Sequence, residues 1–136
     1  MKNLILVLFT VIFITSCSLD DDNNPKYHYE ILKVDSFIVP AFFTLGETSV
    51  ITVKYLRPTE CHFFDGFYYE KDLNKRIIAI QSRVLQEPTC LPLINMIVER
   101  TFNFKATSNG TYIFKFYKGV DANGVDIFEN VEIPVN

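Results

Sequence analysis

The sequence has no tryptophan, only two histidines and only three cysteines in its 136 residues, and each scarcity closes off a class of chemistry. His28 and His62 are too few for a histidine-rich metal centre, and Cys61-His62 stands without any CxxC pair to complete a zinc spacing. The nucleophile and phosphate-binding patterns GxSxG, SxxK, HExxH and the glycine-rich loop are missing too. No metal, cofactor or catalytic residue is therefore assigned. Positive charge is also sparse, with 13 Lys and Arg against 16 Asp and Glu and no basic stripe. Phosphate backbones are held by clustered Lys and Arg, so nucleic acid is set aside as a partner. Long apolar runs are absent but for Leu4 to Ile14, eleven residues interrupted only by Thr10. As a helix this run rises about 16 Å, half of a ~30 Å hydrocarbon core. It is too short for a permanent span and suits the centre of a secretory signal, behind the positive Met1-Lys2-Asn3.

Ile14-Thr15-Ser16-Cys17 closes that run and resembles the bacterial lipobox: a large apolar residue, two small ones, then cysteine. The resemblance implies cleavage before Cys17, a diacylglyceryl group on its thiol and a further acyl chain on the freed amine. Several chains hold a protein on a membrane where one would not. Residues 1–16 are then a signal peptide and residues 17–26 a lipidated tether. Between Ser18 and Pro25 the only apolar residue is Leu19, and Asp20, Asp21 and Asp22 carry charge that resists packing. An acidic run just behind the lipidated cysteine is similar to the export signal of Gram-negative surface lipoproteins. That likeness implies the outer membrane and the cell surface, with the membrane as a partner through the anchor. A flexible, solvated tether explains the same residues without export, and three adjacent Asp with nothing to fix their geometry do not make a calcium site.

Export leaves Cys61 and Cys90 as the only free thiols in an oxidising compartment, and one structural bridge is the economical expectation. Closing a loop of about 30 residues contributes roughly 3 to 4 kcal/mol in the chain-entropy model. Two buried free thiols are the competing reading.

Beyond the tether, residues 27–136 alternate with a period of two and show no helical period. The mature chain keeps all 7 Tyr and all but Phe9 and Phe13 of its Phe, a composition that favours strands. In Met96 to Lys105, Met96, Val98, Phe102 and Phe104 share one face, with Arg100 as its one charge, placed at a sheet edge. Thr111 to Lys118 turns Tyr112, Phe114 and Phe116 inward, and Ser49 to Leu56 does the same with Ile51, Val53 and Tyr55. Arg76 to Leu85 alternates around Ile78, Ile80 and Val84, and Val131, Ile133 and Val135 carry the last strand. Tyr27 to Val34 and His62 to Glu70 bring the total to about seven. Gly, Pro, Asn and Asp mark the turns, at Leu45-Gly46-Glu47, Arg57-Pro58-Thr59, Asp65-Gly66, Asp72-Leu73-Asn74, Glu87-Pro88, Ser108-Asn109-Gly110 and Asn123-Gly124. Asp121 to Asp126 reads as a hairpin and not a calcium loop, because the distant bidentate Glu is missing. Asn109-Gly110-Thr111 matches a glycosylation sequon that a turn entering a strand explains equally well.

Ser108-Asn109-Gly110-Thr111-Tyr112-Ile113-Phe114 resembles the D-x-G-x-Y-x-C turn of immunoglobulin-like domains. Ser108 stands where Asp is usual, and Phe114 where a core cysteine would. The resemblance implies an all-β, Ig-like antiparallel sandwich whose Tyr112 hydroxyl returns to the backbone, the tyrosine corner. It carries no function.

The most distinctive stretch is His62-Phe63-Phe64-Asp65-Gly66-Phe67-Tyr68-Tyr69, denser in aromatics than one strand face needs. By simple alternation Phe63, Phe67 and Tyr69 fill the core while Phe64 and Tyr68 cover the other face. Phe64, Phe67 and Tyr68 are the candidate contacts for a glycan or an envelope protein. Both histidines read as surface or edge residues. The expectation is a non-enzymatic binding or accessory module at the outer membrane; the alternative is a hydrolase or protease inhibitor acting through a disulfide-pinned loop. An exposed aromatic patch favours binding, a convex pinned loop favours inhibition, and a cleft with two converging carboxylates favours catalysis.

Overall fold

A computed structural model describes residues 24–136, which form eight β-strands and no helix. The signal segment, Cys17 and the acidic residues Asp20, Asp21 and Asp22 lie outside the described residues. The strands are β1 (Tyr27–Leu32), β2 (Ser36–Ile38), β3 (Thr48–Leu56), β4 (His62–Asp72), β5 (Lys75–Leu85), β6 (Ile97–Lys105), β7 (Thr111–Val120) and β8 (Asp126–Pro134). β2, β3 and β6 make a three-stranded sheet, and the other five make the second. β2 is the strand the sequence pattern missed, because three residues are too few to display alternation.

Alternation places the core between the sheets as expected. Ile51, Val53 and Tyr55 of β3 and Phe104 of β6 meet Ile78 and Ile80 of β5 and Tyr112, Phe114 and Phe116 of β7. The contact is largely aromatic: Phe37 stacks on Phe116 with ring centroids 3.9 Å apart, and Phe104 meets Phe114 edge-on at 5.1 Å. Such pairs add to the burial of their area and restrict how the sheets can slide.

β5 organises the larger sheet. β4 hairpins along the whole of one edge, through the Asp72–Lys75 pair at the turn. The other edge is divided: β1 pairs antiparallel with Ile80 to Leu85, and β7 pairs parallel with Lys75 to Ile78. The expectation of a wholly antiparallel sandwich is corrected here. The chain leaves β5, passes through β6 in the opposite sheet and returns as β7, and such a crossover lets the returning strand run in the same direction. The Tyr112 hydroxyl does fold back, accepting hydrogen bonds from the amides of Thr107 and Ser108, each at 3.2 Å.

Two local expectations change and a third holds. Asp65-Gly66 is not a turn but a bulge inside β4, where the register shifts between Phe64 and Gly66 and Gly66 takes a φ of 121° that a side chain would resist. Met96 precedes β6 and is exposed instead of facing the core. Arg100 does sit on the edge strand β6, exposed, with its guanidinium 5.1 Å from the centre of the Phe64 ring.

Candidate functional site

The bulge decides which aromatics of β4 are presented. Downstream of it the simple parity holds, with Phe67 inward against Phe102 and Tyr68 outward, but Tyr69, on the Phe102 side, stays 45% exposed and does not fill the core as expected. Upstream the parity is reversed by the extra residue, so Phe64 turns inward beside Tyr55 and Phe63 lies outside beneath Arg57. Of the three candidate contacts, Phe64 and Phe67 are therefore withdrawn into the packing, and Tyr68 alone stands on the open face of the larger sheet.

Tyr68 forms one wall of a depression of about 310 Å³. Its origin is the divided edge of β5. β7 leaves β5 after the Ile78–Phe116 pair and bulges between Tyr117 and Gly119, while β1 takes over from Leu32. A gap opens where the two neighbours part, floored by Ile77 and the small side chain of Ala79. Ile31, Tyr117 and Phe128 complete the apolar walls, and Glu70 and Asp126 bring two carboxylates into the lining. The Tyr68 hydroxyl donates to Glu70 Oε2 at 2.7 Å, and that bond, with the negative charge beside it, pushes the phenol above its usual range. Lys115 lies over the outer side of the Phe128 ring at 4.8 Å. Ile31, Tyr117 and Phe128 were not singled out by the sequence. Their only signal was outward parity on strands whose neighbours could not be known.

The histidines converge at the other end of β4. His62 is buried, not a surface residue, because the bulge places it on the inward face opposite Val84. Its Nδ1 is 2.7 Å from Thr59 Oγ1 and its Nε2 3.1 Å from Glu30 Oε2, while the exposed His28 reaches the second oxygen of Glu30 at 2.8 Å. Hydrogen bonding from His28 chiefly, then His62, lowers the Glu30 carboxyl against the opposing effect of burial. These contacts fasten β1 to β4 across β5.

Cys61 and Cys90 are bridged, with Cα atoms 5.5 Å apart. The bridge pins residues 86–96 between β5 and β6, and the Thr59–Pro92 pairing and the Leu93 amide bond to the Pro58 carbonyl hold the same loop against residues 57–61. No group of three or more His, Cys, Asp or Glu among the described residues is placed to hold a metal ion.

Compared with known proteins, the chain matches no family model, no curated sequence and no solved structure.

Proposed function

We propose that this protein is a lipid-anchored binding module of the bacterial envelope, carried on Cys17 and displayed at the cell surface, whose depression beside Tyr68 receives a sugar ring. The supporting observation is the composition of that depression. Flat aromatic surfaces from Tyr68, Tyr117 and Phe128 stand next to the acceptor oxygens of Glu70 and Asp126 on an uncovered sheet face. Apolar ring faces suit the C–H side of a pyranose, and carboxylates accept from its hydroxyls. A volume of about 310 Å³ lies at the small end of ligand pockets, which matches one ring and not a long apolar ligand.

Titration of the full-length protein with hexoses, N-acetylhexosamines and their short oligomers, followed by NMR, tests this reading. Shifts confined to the depression, lost in Tyr68→Ala and Phe128→Ala, are expected. Uniform silence at tens of millimolar sugar would sink it. The two carboxylates also favour a second reading, glycoside hydrolysis, because such chemistry draws on a pair of carboxyl groups and both Glu70 and Asp126 line this one cleft. Release of reducing sugar that Glu70→Gln and Asp126→Asn abolish would decide for the enzyme. Binding is preferred because Glu70 is already engaged as an acceptor by Tyr68.

A further inference from the structure

The end of the sandwich that carries the disulfide exposes an unusual surface. Leu91-Pro92-Leu93-Ile94-Asn95-Met96-Ile97 holds one polar residue, and Leu91, Ile94, Met96 and Ile97 are all exposed, Ile94 at 89%. Asn95 takes a positive φ of 53° that turns the chain at the tip. The loop is a rigid projection, because the Cys61–Cys90 bridge and the bonds to Pro58 and Thr59 hold its base. Burying so much aliphatic surface is favourable wherever a partner can cover it, and a solvated tip of this composition points to such a partner.

Three observations identify the covering phase. The Lys26 carbonyl accepts from the Gln86 amide at 2.8 Å, so the described chain begins at the root of this loop. Cys17 lies nine residues before Lys26, a tether that spans at most about 32 Å. Finally, a groove of about 480 Å³ beside the tip is lined by Leu32, Leu56, Leu93 and Ile94 with Lys33 and Arg57, and no acidic residue lines it. Glu60 lies outside that lining, although its amide donates to the Leu91 carbonyl at 3.0 Å.

We infer that this tip seats the domain on the phospholipid bilayer. Ile94 and Leu91 enter the acyl boundary, while Lys33, and the guanidinium nitrogen of Arg57 left over from its bonds to the His62 and Glu60 carbonyls, meet lipid phosphates at headgroup level. The inference rests on the lipid-anchor reading and goes beyond it: the anchor holds the protein near the membrane, and the tip sets its orientation, turning the opposite end of the sandwich outward. An inhibitory loop would need the reverse, since a protease must reach it from the aqueous side.

The absence of tryptophan supplies the test. Full-length protein purified from membranes is reconstituted in phosphatidylethanolamine and phosphatidylglycerol vesicles containing acyl-brominated lipid, as Ile94→Trp, Leu91→Trp and, at the opposite end, Leu73→Trp. Amphipathic contacts of this kind reach about 5 to 10 Å below the headgroups, so the tryptophans of the first two variants are expected to blue-shift and lose roughly half or more of their emission, and that of Leu73→Trp almost none. Equal, water-like emission from all three, with the protein acylated and vesicle-bound, overturns the seat and leaves the anchor standing. A blue shift of the Ile94→Trp emission on adding subtilisin, with neither shift nor quenching by the brominated vesicles, overturns it in favour of inhibition. A Cys17→Ala protein of unchanged electrophoretic mobility and unchanged vesicle binding overturns the anchor itself, and with it the reason to place a membrane at this end.

Discussion

The two ends of the sandwich are closed by different physics. At the end marked by the Leu73 and Gly110 turns, the closure is packing: Phe43, Phe104 and Tyr112 form a cluster of rings, and the buried Arg76 lies 5.0 Å from the Tyr112 ring while donating to the carbonyls of Leu73 and Lys75. The end where β1 begins carries the eleven-residue connection 86–96. There a disulfide, the Thr59–His62–Glu30–His28 chain of polar contacts and the Arg57 guanidinium bound to the His62 carbonyl take the place of packed rings. The contrast teaches that a long loop can be made rigid without being buried. At both ends the turns still carry aliphatic side chains in solvent, Leu73 at one and Ile94 at the other, but only the disulfide-pinned loop gathers several of them together.

Three measurements sharpen or break the comparison. Removing a ring from the packed end has the largest expected effect: Phe104→Ala leaves a cavity among Phe43, Tyr112 and Phe114 and is expected to cost about 3 to 5 kcal/mol in denaturant unfolding. A loss below about 1 kcal/mol would mean that this end is not closed by packing. The paired substitution Cys61→Ala with Cys90→Ala is expected to cost somewhat less, roughly 3 kcal/mol, and to release residues 86–96 to proteolysis while the opposite end stays protected. Loss of protection at both ends together would show one cooperative unit and remove the distinction.

The smallest effect concerns Glu30. Its folded carboxyl is lowered from 4.5, so it contributes stability that is fully present above that value and disappears as pH falls through the lowered one. Glu30→Gln is therefore expected to cost less than about 1 kcal/mol at neutral pH, because the side chain is partly solvated, and the cost is expected to vanish below the carboxylate range. A cost of the substitution that stays constant from pH 7 to pH 2.5 in thermal unfolding would show that Glu30 acts by shape and not by charge.

Much of the fold was legible in the chain because strand parity is local. The inward sets of β3, β5 and β7 follow from side chains that alternate every two residues, and most of the turns follow from residues whose backbone preferences need no distant partner. The candidate site was legible only at Tyr68. Phe63 and Phe64 exchanged places because one extra residue in β4 reverses parity upstream, and a bulge has no signature in periodicity beyond the glycine it employs.

The sequence by itself determined the strand character of residues 27–136 and the identity of most core residues, and it offered a Cys61–Cys90 bridge as the economical pairing. These are consequences of local alternation and of simple counting. Only the tertiary structure decided that β1 and β7 divide one edge of β5, that Glu30 meets both histidines, and that the root of the aliphatic loop lies beside Lys26. Each of those depends on which strands lie side by side. Backbone hydrogen bonding is nearly indifferent to sequence, so strand neighbours are chosen by the packing of the whole core and not by any one segment.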